Sequence, residues 1–308
     1  MNIKRPKLLV VINPNASRAE EALPALTEWF ADNADAVLVI AHKKGDLKKI
    51  LKSHGPEADR IVIGGGDGTL SKALPALLKL KRPLAVLPLG TANDLARTIG
   101  LPVEPLQAAE ITLDGREHAI DVGLANGKPY LNVASVGVAS EVIKRQSKAL
   151  KRTWKVLAYA ISLMGAVRSL QPFFVDLDID DAPPWSAAVY QVSVANGRHH
   201  GGGLTVAEHA AIDDGMLDIY VVYPGTFWQL FACLTHLRFG LMKKPAVLGR
   251  GAAKRVKLTT SRPREVDADG RLVTTTPAEF TLSHKALKVI VPRKRPKNHR
   301  GLVQQSEG

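Results

Sequence analysis

Apolar residues over the first third of the chain fall in short β-branched runs that alternate with helical patterning. Leu8-Leu9-Val10-Val11-Ile12 reads as a buried strand, 20–31 as a helix, 36–41 as a strand and 46–54 as a helix. A strand at 60–63, a helix at 69–80 and a strand at 84–87 continue the series. Such βαβ succession predicts a parallel sheet with helices on both faces, an α/β fold. After Asp114 the helices thin out. Strand-like runs at 119–124, 130–136, 173–179, 187–195, 217–222, 253–259, 278–282 and 287–291 are parted by Gly, Asp and Pro, which predicts a second, mostly antiparallel domain. Helical insertions are expected within it at 140–169 and 226–241. The expected division is an α/β domain at 1–118, a strand-rich domain at 119–292, and a basic, disordered tail at 293–308.

Composition fits this organisation: 308 residues, 45% hydrophobic and 23% charged, are those of a globular protein long enough for two domains. Cys233 is the single cysteine, so an intramolecular disulfide and a cysteine-based zinc site are excluded. The N-terminal residues Met1 to Pro6 lead into an apolar run too short for a signal peptide. The longest apolar stretch, 227–242, is broken by Gln229, His236 and Arg238 and falls short of the roughly 18 residues of a membrane span. These features point to a cytoplasmic protein. A net charge of +13, from 42 basic and 29 acidic residues, calls for an anionic partner such as nucleic acid, a lipid surface or a phosphorylated substrate. No zinc finger, helix-turn-helix or RNA-recognition signature is present, so nucleic acid is not expected.

The candidate chemistry gathers at strand ends. Ile61-Val62-Ile63 runs into Gly64-Gly65-Gly66-Asp67-Gly68-Thr69-Leu70 at the start of a helix. Glycines admit close backbone approach, and helix N-terminal amides attract phosphate oxygens. The loop is neither the P-loop pattern nor Gly-x-Gly-x-x-Gly, and taken alone it also serves as a tight strand-to-helix turn. A second strand ends in Pro88-Leu89-Gly90-Thr91-Ala92-Asn93-Asp94, where Asn93 and Asp94 alternatively cap the next helix. The first strand ends in Asn13-Pro14-Asn15-Ala16-Ser17-Arg18. Three polar loops thus reach the carboxyl edge of one parallel sheet, where ligands of open α/β folds bind.

In order and spacing these segments resemble the catalytic domain of diacylglycerol-kinase-like lipid kinases, a group that includes bacterial lipid kinases and sphingosine kinases. The resemblance continues through Asp121-Val122-Gly123, Asn196-Gly197 with Gly201-Gly202-Gly203, Asp213-Asp214-Gly215-Met216-Leu217-Asp218 and Asp269-Gly270. The Gly-Gly-Asp-Gly piece alone is shared with NAD kinases and 6-phosphofructokinases. The resemblance implies ATP in a cleft between an α/β domain and a C-terminal β-sandwich, with the γ-phosphate passed to a lipid hydroxyl. It implies nucleotide or phosphate contacts from Asn13, Asn15, Arg18, Gly65, Gly66, Asp67, Gly68, Thr69, Leu70, Ser71 and Thr91, with Asn93 and Asp94 beside them. It implies a magnesium ion held by Asp214 and the carbonyls of Ala211 and Met216. Asp67, Asp94, Asp121 and Asp214 would form an acidic wall around the ATP-bound magnesium.

Three departures stand out. The proton-accepting glutamate assigned in some members is Arg271, which leaves Asp269 as first choice of base and Asp267 as second. Ser71-Lys72 replaces a common Asn-Glu, and Ala41 replaces a threonine that contacts ATP. They leave open a degenerate kinase, and the shared loop leaves open a kinase of a soluble substrate such as NAD.

Between Asp218 and Glu265, and between Glu141 and Asp176, no acidic residue occurs, while Arg and Lys recur beside Trp154, Tyr159, Trp228 and Phe231. Cations beside aromatic residues suit adsorption to anionic lipid. The partners expected are a membrane lipid as substrate and an anionic membrane surface, met peripherally at its inner face. A homodimer is compatible with the sequence.

Overall fold

A computed structural model describes residues 6–43, 45–137, 171–196, 199–200, 204–205, 211–226, 228–230, 232–233, 236 and 246–293. The chain opens with β1 (Lys7–Ile12), α1 (Ala19–Asn33), β2 (Asp35–Ile40), α2 (Asp46–His54), β3 (Arg60–Gly65), α3 (Asp67–Leu80) and β4 (Leu84–Pro88). These match the expected βαβ series. Strands β2-β1-β3-β4 pair in parallel. The apolar runs of β1, β3 and β4 are buried on both faces because helices cover both, while the edge strand β2 leaves Val37 exposed. Leu51 of α2 and Leu70, Leu74 and Leu77 of α3 pack on one face. Leu26 and Phe30 of α1 pack on the other, with Ala108 and Ala109 of α5 (Pro105–Asp114). The short α4 (Asp94–Thr98) is the helix expected after Asn93 and Asp94, whereas α5 was not expected from the sequence pattern.

Next come β5 (Arg116–Ala125), β6 (Lys128–Tyr130), β7 (Val133–Gly137), β8 (Phe173–Ile179), β9 (Trp185–Val189), β10 (Gln191–Ala195), β11 (His199–His200), β12 (Leu204–Thr205) and β13 (Leu217–Val222). The series ends with β14 (Leu248–Ala253), β15 (Arg255–Thr260), β16 (Glu265–Ala268), β17 (Arg271–Thr275) and β18 (Ala278–Val291). Six of these form an antiparallel sheet in the order β14-β13-β10-β7-β16-β17. The expected run at 187–195 is two strands. The chain leaves the larger sheet after β9 and enters the smaller with β10, turning at Tyr190 between them. Strands β14 and β15 make the same change of sheet around Lys254. The sandwich core lies between the layers and includes Val175, Leu177, Val194, Leu217, Ile219, Val256 and Phe280.

The larger sheet is continuous across both halves of the molecule. Strand β18 pairs with β15 through Ala278–Thr281, with β5 along most of its length, and in parallel with β4 at Val289 and Leu84. The two expected strands at 278–282 and 287–291 are therefore one. A register shift between Ser283 and Leu287, with Lys285 at φ 49°, bulges the strand at its middle and separates the two apolar runs. The expected boundary at 118/119 falls inside β5.

The expected insertion at 140–169 and the tail beyond Arg293 lie outside the described residues. Within the second insertion, Trp228, Gln229, Leu230, Ala232, Cys233 and His236 are helical. No described helix is long and apolar enough to cross a membrane.

Phe280 is 1% exposed on the strand shared by both halves. Phe280→Ala should lower the unfolding free energy by about 3–5 kcal/mol, read as a shift of the urea midpoint. A change under about 1 kcal/mol would contradict the tight packing assigned to this position.

Candidate active site

The two glycine loops touch each other. A Cβ on Gly90 would lie 2.4 Å from the Gly66 Cα, so the end of β3 and the loop after β4 approach backbone to backbone. Asn93, at φ 52°, staples its own loop: Oδ1 accepts from the Gly90 amide at 2.9 Å and Nδ2 donates to the Gly90 carbonyl at 2.7 Å. It makes no side-chain cap to α4. Asp67 opens α3, and its Oδ1 accepts from the Leu95 amide at 3.2 Å, tying the first turn of α3 to that of α4. Asn13 donates to the Thr69 hydroxyl at 2.9 Å and accepts from the Asn15 amide at 3.1 Å, which fixes the end of β1 to α3.

The expected nucleotide residues divide between two cavities. Asn13, Asn15 and Thr69 line one of about 340 Å³ with Ala41, His42, Lys43 and Lys72. Arg18, Thr91 and Asn93 line another of about 360 Å³ with Ser17 and Arg97. The Arg18 guanidinium donates to the Val103 carbonyl at 2.7 Å and contacts Glu104 at 3.3 Å, so it anchors a loop as well as facing the cavity. Leu70 and Ser71 are 1% exposed, inside the α3 packing face. Any contact they make with a nucleotide would come from their backbone. Asp94 is equally buried. Lys43 and Lys72, exposed at the first cavity, were not singled out as contacts by the sequence.

Carboxylates of the second half brace its own loops, and each has a distinct task. Asp121 is 1% exposed. Its Oδ2 accepts from the Gly215 amide at 2.8 Å, and its Oδ1 accepts from the Lys285 amide at 2.6 Å and lies 2.8 Å from His284 Nδ1. Two amides and a histidine surround its carboxylate, so Asp121 organises the loop around Asp214. His118 Nε2 lies 2.7 Å from Asp213 Oδ2, both buried, and holds the same loop from β5. Asn196 adds donations to the carbonyls of Asp121 and Leu131 at 2.9 and 3.0 Å, while its own Oδ1 is buried with no hydrogen-bond partner among the described residues.

Asp214 is held above the usual carboxylate range by burial. Amides of Met216 and Ala211 partly offset that effect, and Asp121 and Asp213 add to it. Asp218 is pushed up to about 6 by burial and by Asp214, against a smaller opposing effect of Arg250. Desolvated, mutually repelling carboxylates favour a cation, and Asp214 with neighbouring carbonyls is a fitting hard-oxygen donor set. Among the described residues, no three His, Cys, Asp or Glu side chains converge as a metal cluster. A cation here would rest on Asp214, carbonyls and water.

Asp269 is fully engaged in the fold. Its carboxylate accepts from the amides of Leu131 at 2.8 Å, Asn132 at 2.9 Å and Val133 at 3.2 Å, and the residue sits at φ 48°. Burial raises its pKa, the three amides pull it back, and Asp67, within electrostatic reach, raises it again. Three of about four acceptor positions are taken. Those bonds make Asp269 an anchor for the 131–133 turn and leave about one acceptor position open. Asp267 faces the outer side of the smaller sheet, raised by burial and opposed by the Gly270 amide and Arg271. Arg271 itself has a buried Nε with no hydrogen-bond partner among the described residues. Tyr130 is fully buried beside Asp269; burial and then that charge raise its hydroxyl above the usual range.

Residues 7–125 match the model of the diacylglycerol kinase catalytic domain, and residues 132–291 match that of the YegS C-terminal NAD kinase beta sandwich-like domain. The chain is 30% identical over 293 residues to a Pseudomonas fluorescens (strain Pf0-1) protein named as a YegS-like lipid kinase, covering 94% of this chain and 95% of that one. It is 29% identical over 243 residues to a diacylglycerol kinase of Bacillus subtilis (strain 168), covering 78% of this chain and 80% of the other. A solved structure from Bacillus anthracis str. Sterne, described as a diacylglycerol kinase, superposes with a TM-score of 0.81 at 26% identity, covering 95% of this chain and 97% of that one.

Two outcomes follow from the carboxylates. Asp269→Asn should lower stability by about 2 kcal/mol or more, because an amide nitrogen would replace an acceptor facing backbone N–H groups. Urea unfolding checks this, and unchanged stability with lost activity would return Asp269 to the base role. The folded-state pKa of Asp218 is raised, so its contribution is intact below its unfolded value near 4 and is lost as pH rises through about 6. Asp218→Asn should therefore stabilise the EDTA-treated protein by about 1–3 kcal/mol at pH 7.5 and by little at pH 4, measured by paired urea titrations.

Proposed function

The chain belongs to the diacylglycerol kinase catalytic family of ATP-dependent kinases, and from that premise we propose that it transfers the γ-phosphate of ATP to a hydroxyl of a membrane lipid. The observation that carries this reading is the proximity of Asp67, on the glycine loop of the first half, to Asp269, on the second. The transfer centre then lies where the halves meet. Phosphoryl transfer asks the protein chiefly for positioning, for positive charge on the phosphate oxygens and for a proton acceptor.

In this reading Asn13, Asn15 and Thr69, with Lys43 and Lys72 at the cavity rim, orient the nucleotide. The touching loops at Gly66 and Gly90 let the phosphate tail approach backbone amides without side-chain obstruction. Asp214, with the carbonyls of Ala211 and Met216, would hold a magnesium ion, which when bound neutralises charge developing on the phosphates. Asp67 takes the lipid hydroxyl proton as the hydroxyl oxygen bonds to the γ-phosphorus and the bond to the ADP oxygen breaks. Its Oδ1 is pinned by the Leu95 amide, which leaves Oδ2 for the proton. Asp269 keeps the turn at 131–133 in place beside it.

A lipid acceptor agrees with the basic, acid-free stretch between Asp218 and Glu265 and with Trp228, which is 74% exposed. The anionic membrane surface is the partner this charge suits. A soluble acceptor such as NAD remains the competing reading, because the glycine loop serves both.

With radiolabelled ATP, label is expected in the lipid phase of an extract and not in NAD. Asp67→Asn should reduce lipid labelling by about a thousandfold while the protein stays folded. Incorporation into NAD alone would refute the lipid acceptor. Flotation with phosphatidylglycerol liposomes should capture the protein at low salt and release it at high salt; no capture at low salt would remove the membrane partner.

A further inference from the structure

The donor side of the site carries more positive charge than a nucleoside needs. The cavity of about 340 Å³ begins at Thr69, beside the glycine loop, and runs outward past the carboxyl ends of β1 and β2 to Ala41, His42, Lys43 and Gly45. The strand order β2-β1-β3 sets that far end two strand spacings, about 10 Å, from the end of β3. When the terminal phosphate of a donor lies at the glycine loop, the far end of the cavity receives the part remote from the reacting phosphorus. In ATP that part is an uncharged nucleoside.

The walls suit an anion better. Lys72 stands one turn after Thr69 on the same side of α3, and His42 and Lys43 follow β2. All three are exposed, and neither lysine forms an ion pair among the described residues. No Asp or Glu is among the described residues that line the cavity. Asp46, the acid nearest to Lys43 in sequence, is turned to the backbone: its Oδ2 accepts from the Lys43 amide at 2.7 Å. The side-chain amide of Asn13 is engaged within the site, donating to Thr69 and accepting from the Asn15 amide. Aliphatic side chains come from Ala41 and Leu47, and no Phe, Tyr or Trp among the described residues offers a ring for a base to stack on.

We propose that this cavity takes a chain of phosphates, and that the protein uses inorganic polyphosphate as a phosphoryl donor beside ATP. Lys43 and Lys72 are point charges on flexible stems, which suits a repeating anion with no fixed shape. A cleft lined by one sign of charge concentrates ligands of the other. The transfer itself is unchanged in kind. The acceptor hydroxyl oxygen bonds to the terminal phosphorus, the bridging P–O bond to the next phosphate breaks, the shortened chain leaves with that oxygen, and Asp67 takes the hydroxyl proton. The proposal rests on the lipid-kinase reading for the acceptor and not for the donor.

The test supplies the full chain with magnesium, radiolabelled linear polyphosphate or ATP, and either extract lipid or NAD as acceptor. Hexokinase and glucose first remove contaminating ATP from the polyphosphate. Label should pass from both donors to lipid. The KM should fall about tenfold between tripolyphosphate and a chain of several tens of phosphates, because the longer anion reaches both lysines. Lys43→Glu combined with Lys72→Glu should abolish that dependence on length, which a merely structural role for two exposed side chains would not move. Lys43→Arg combined with Lys72→Arg should keep it, with circular dichroism confirming that both variants fold. Lipid labelled from ATP and not from polyphosphate overturns the proposal and leaves the lipid reading intact. NAD labelled from polyphosphate, with lipid unlabelled by either donor, upholds the donor and refutes the lipid acceptor. Neither donor labelling any acceptor overturns both. Length dependence unchanged in the charge-reversed variant removes the assigned site. An ATP bearing an extra phosphate on its ribose that outperforms ATP while polyphosphate is inert overturns the proposal in favour of a charged nucleotide.

Discussion

Negative charge taken out of water is the constraint that orders this molecule. Asp121 and Asp213 are buried and Asp214, Asp218 and Asp269 lose part of their hydration, and a desolvated carboxylate must find donors or a cation. The protein gives most of them donors. Asp269 receives three amides, Asp121 two amides and a histidine, and Asp213 a histidine. Asp214 and Asp218 are left with more charge than their surroundings compensate, and their raised pKa values record that surplus. A site built this way holds its geometry rigidly and keeps its unmet charge at one place, where a cation is useful to phosphate chemistry.

That arrangement depends on register. Because β18 pairs with β4 near one end and with β15 near the other, the phosphate loops and the sandwich carboxylates are built on a single hydrogen-bonded sheet. The bulge at 283–287 gives the strand room to do both. It also presents the Lys285 amide and His284 to Asp121, so the irregularity is what ties the strand to the 211–217 loop.

Much of this was legible in the residues. Unbroken apolar runs such as 61–63 and 84–87 mark strands covered on both faces, and the glycine loops that follow them mark the carboxyl edge. The family resemblance carried the identity of the site. The sequence pattern misled where one residue type serves two purposes. An aspartate in an Asp-Gly turn reads alike whether its oxygens are free or bound to amides, and only the positions of Leu131, Asn132 and Val133 showed that Asp269 is bound. Ser71 lies in the right loop but on the buried side of α3, which spacing alone did not reveal. Strands β16 and β17 went unnoticed because Glu265, Asp267 and Arg271 break their apolar alternation. His118 and His284 carried no local signal, since their partners are distant in sequence.

The placement of β18 bears on how the protein is made. The strand that closes the larger sheet is synthesised after every other strand in it, so a nascent chain lacks the central neighbour of β4 and β5 until translation has passed residue 291. Until then those edges stay open and apolar, a state prone to wrong pairing. Joining of the glycine loops to the sandwich carboxylates is thus a late event in biogenesis, dependent on contacts far apart along the chain.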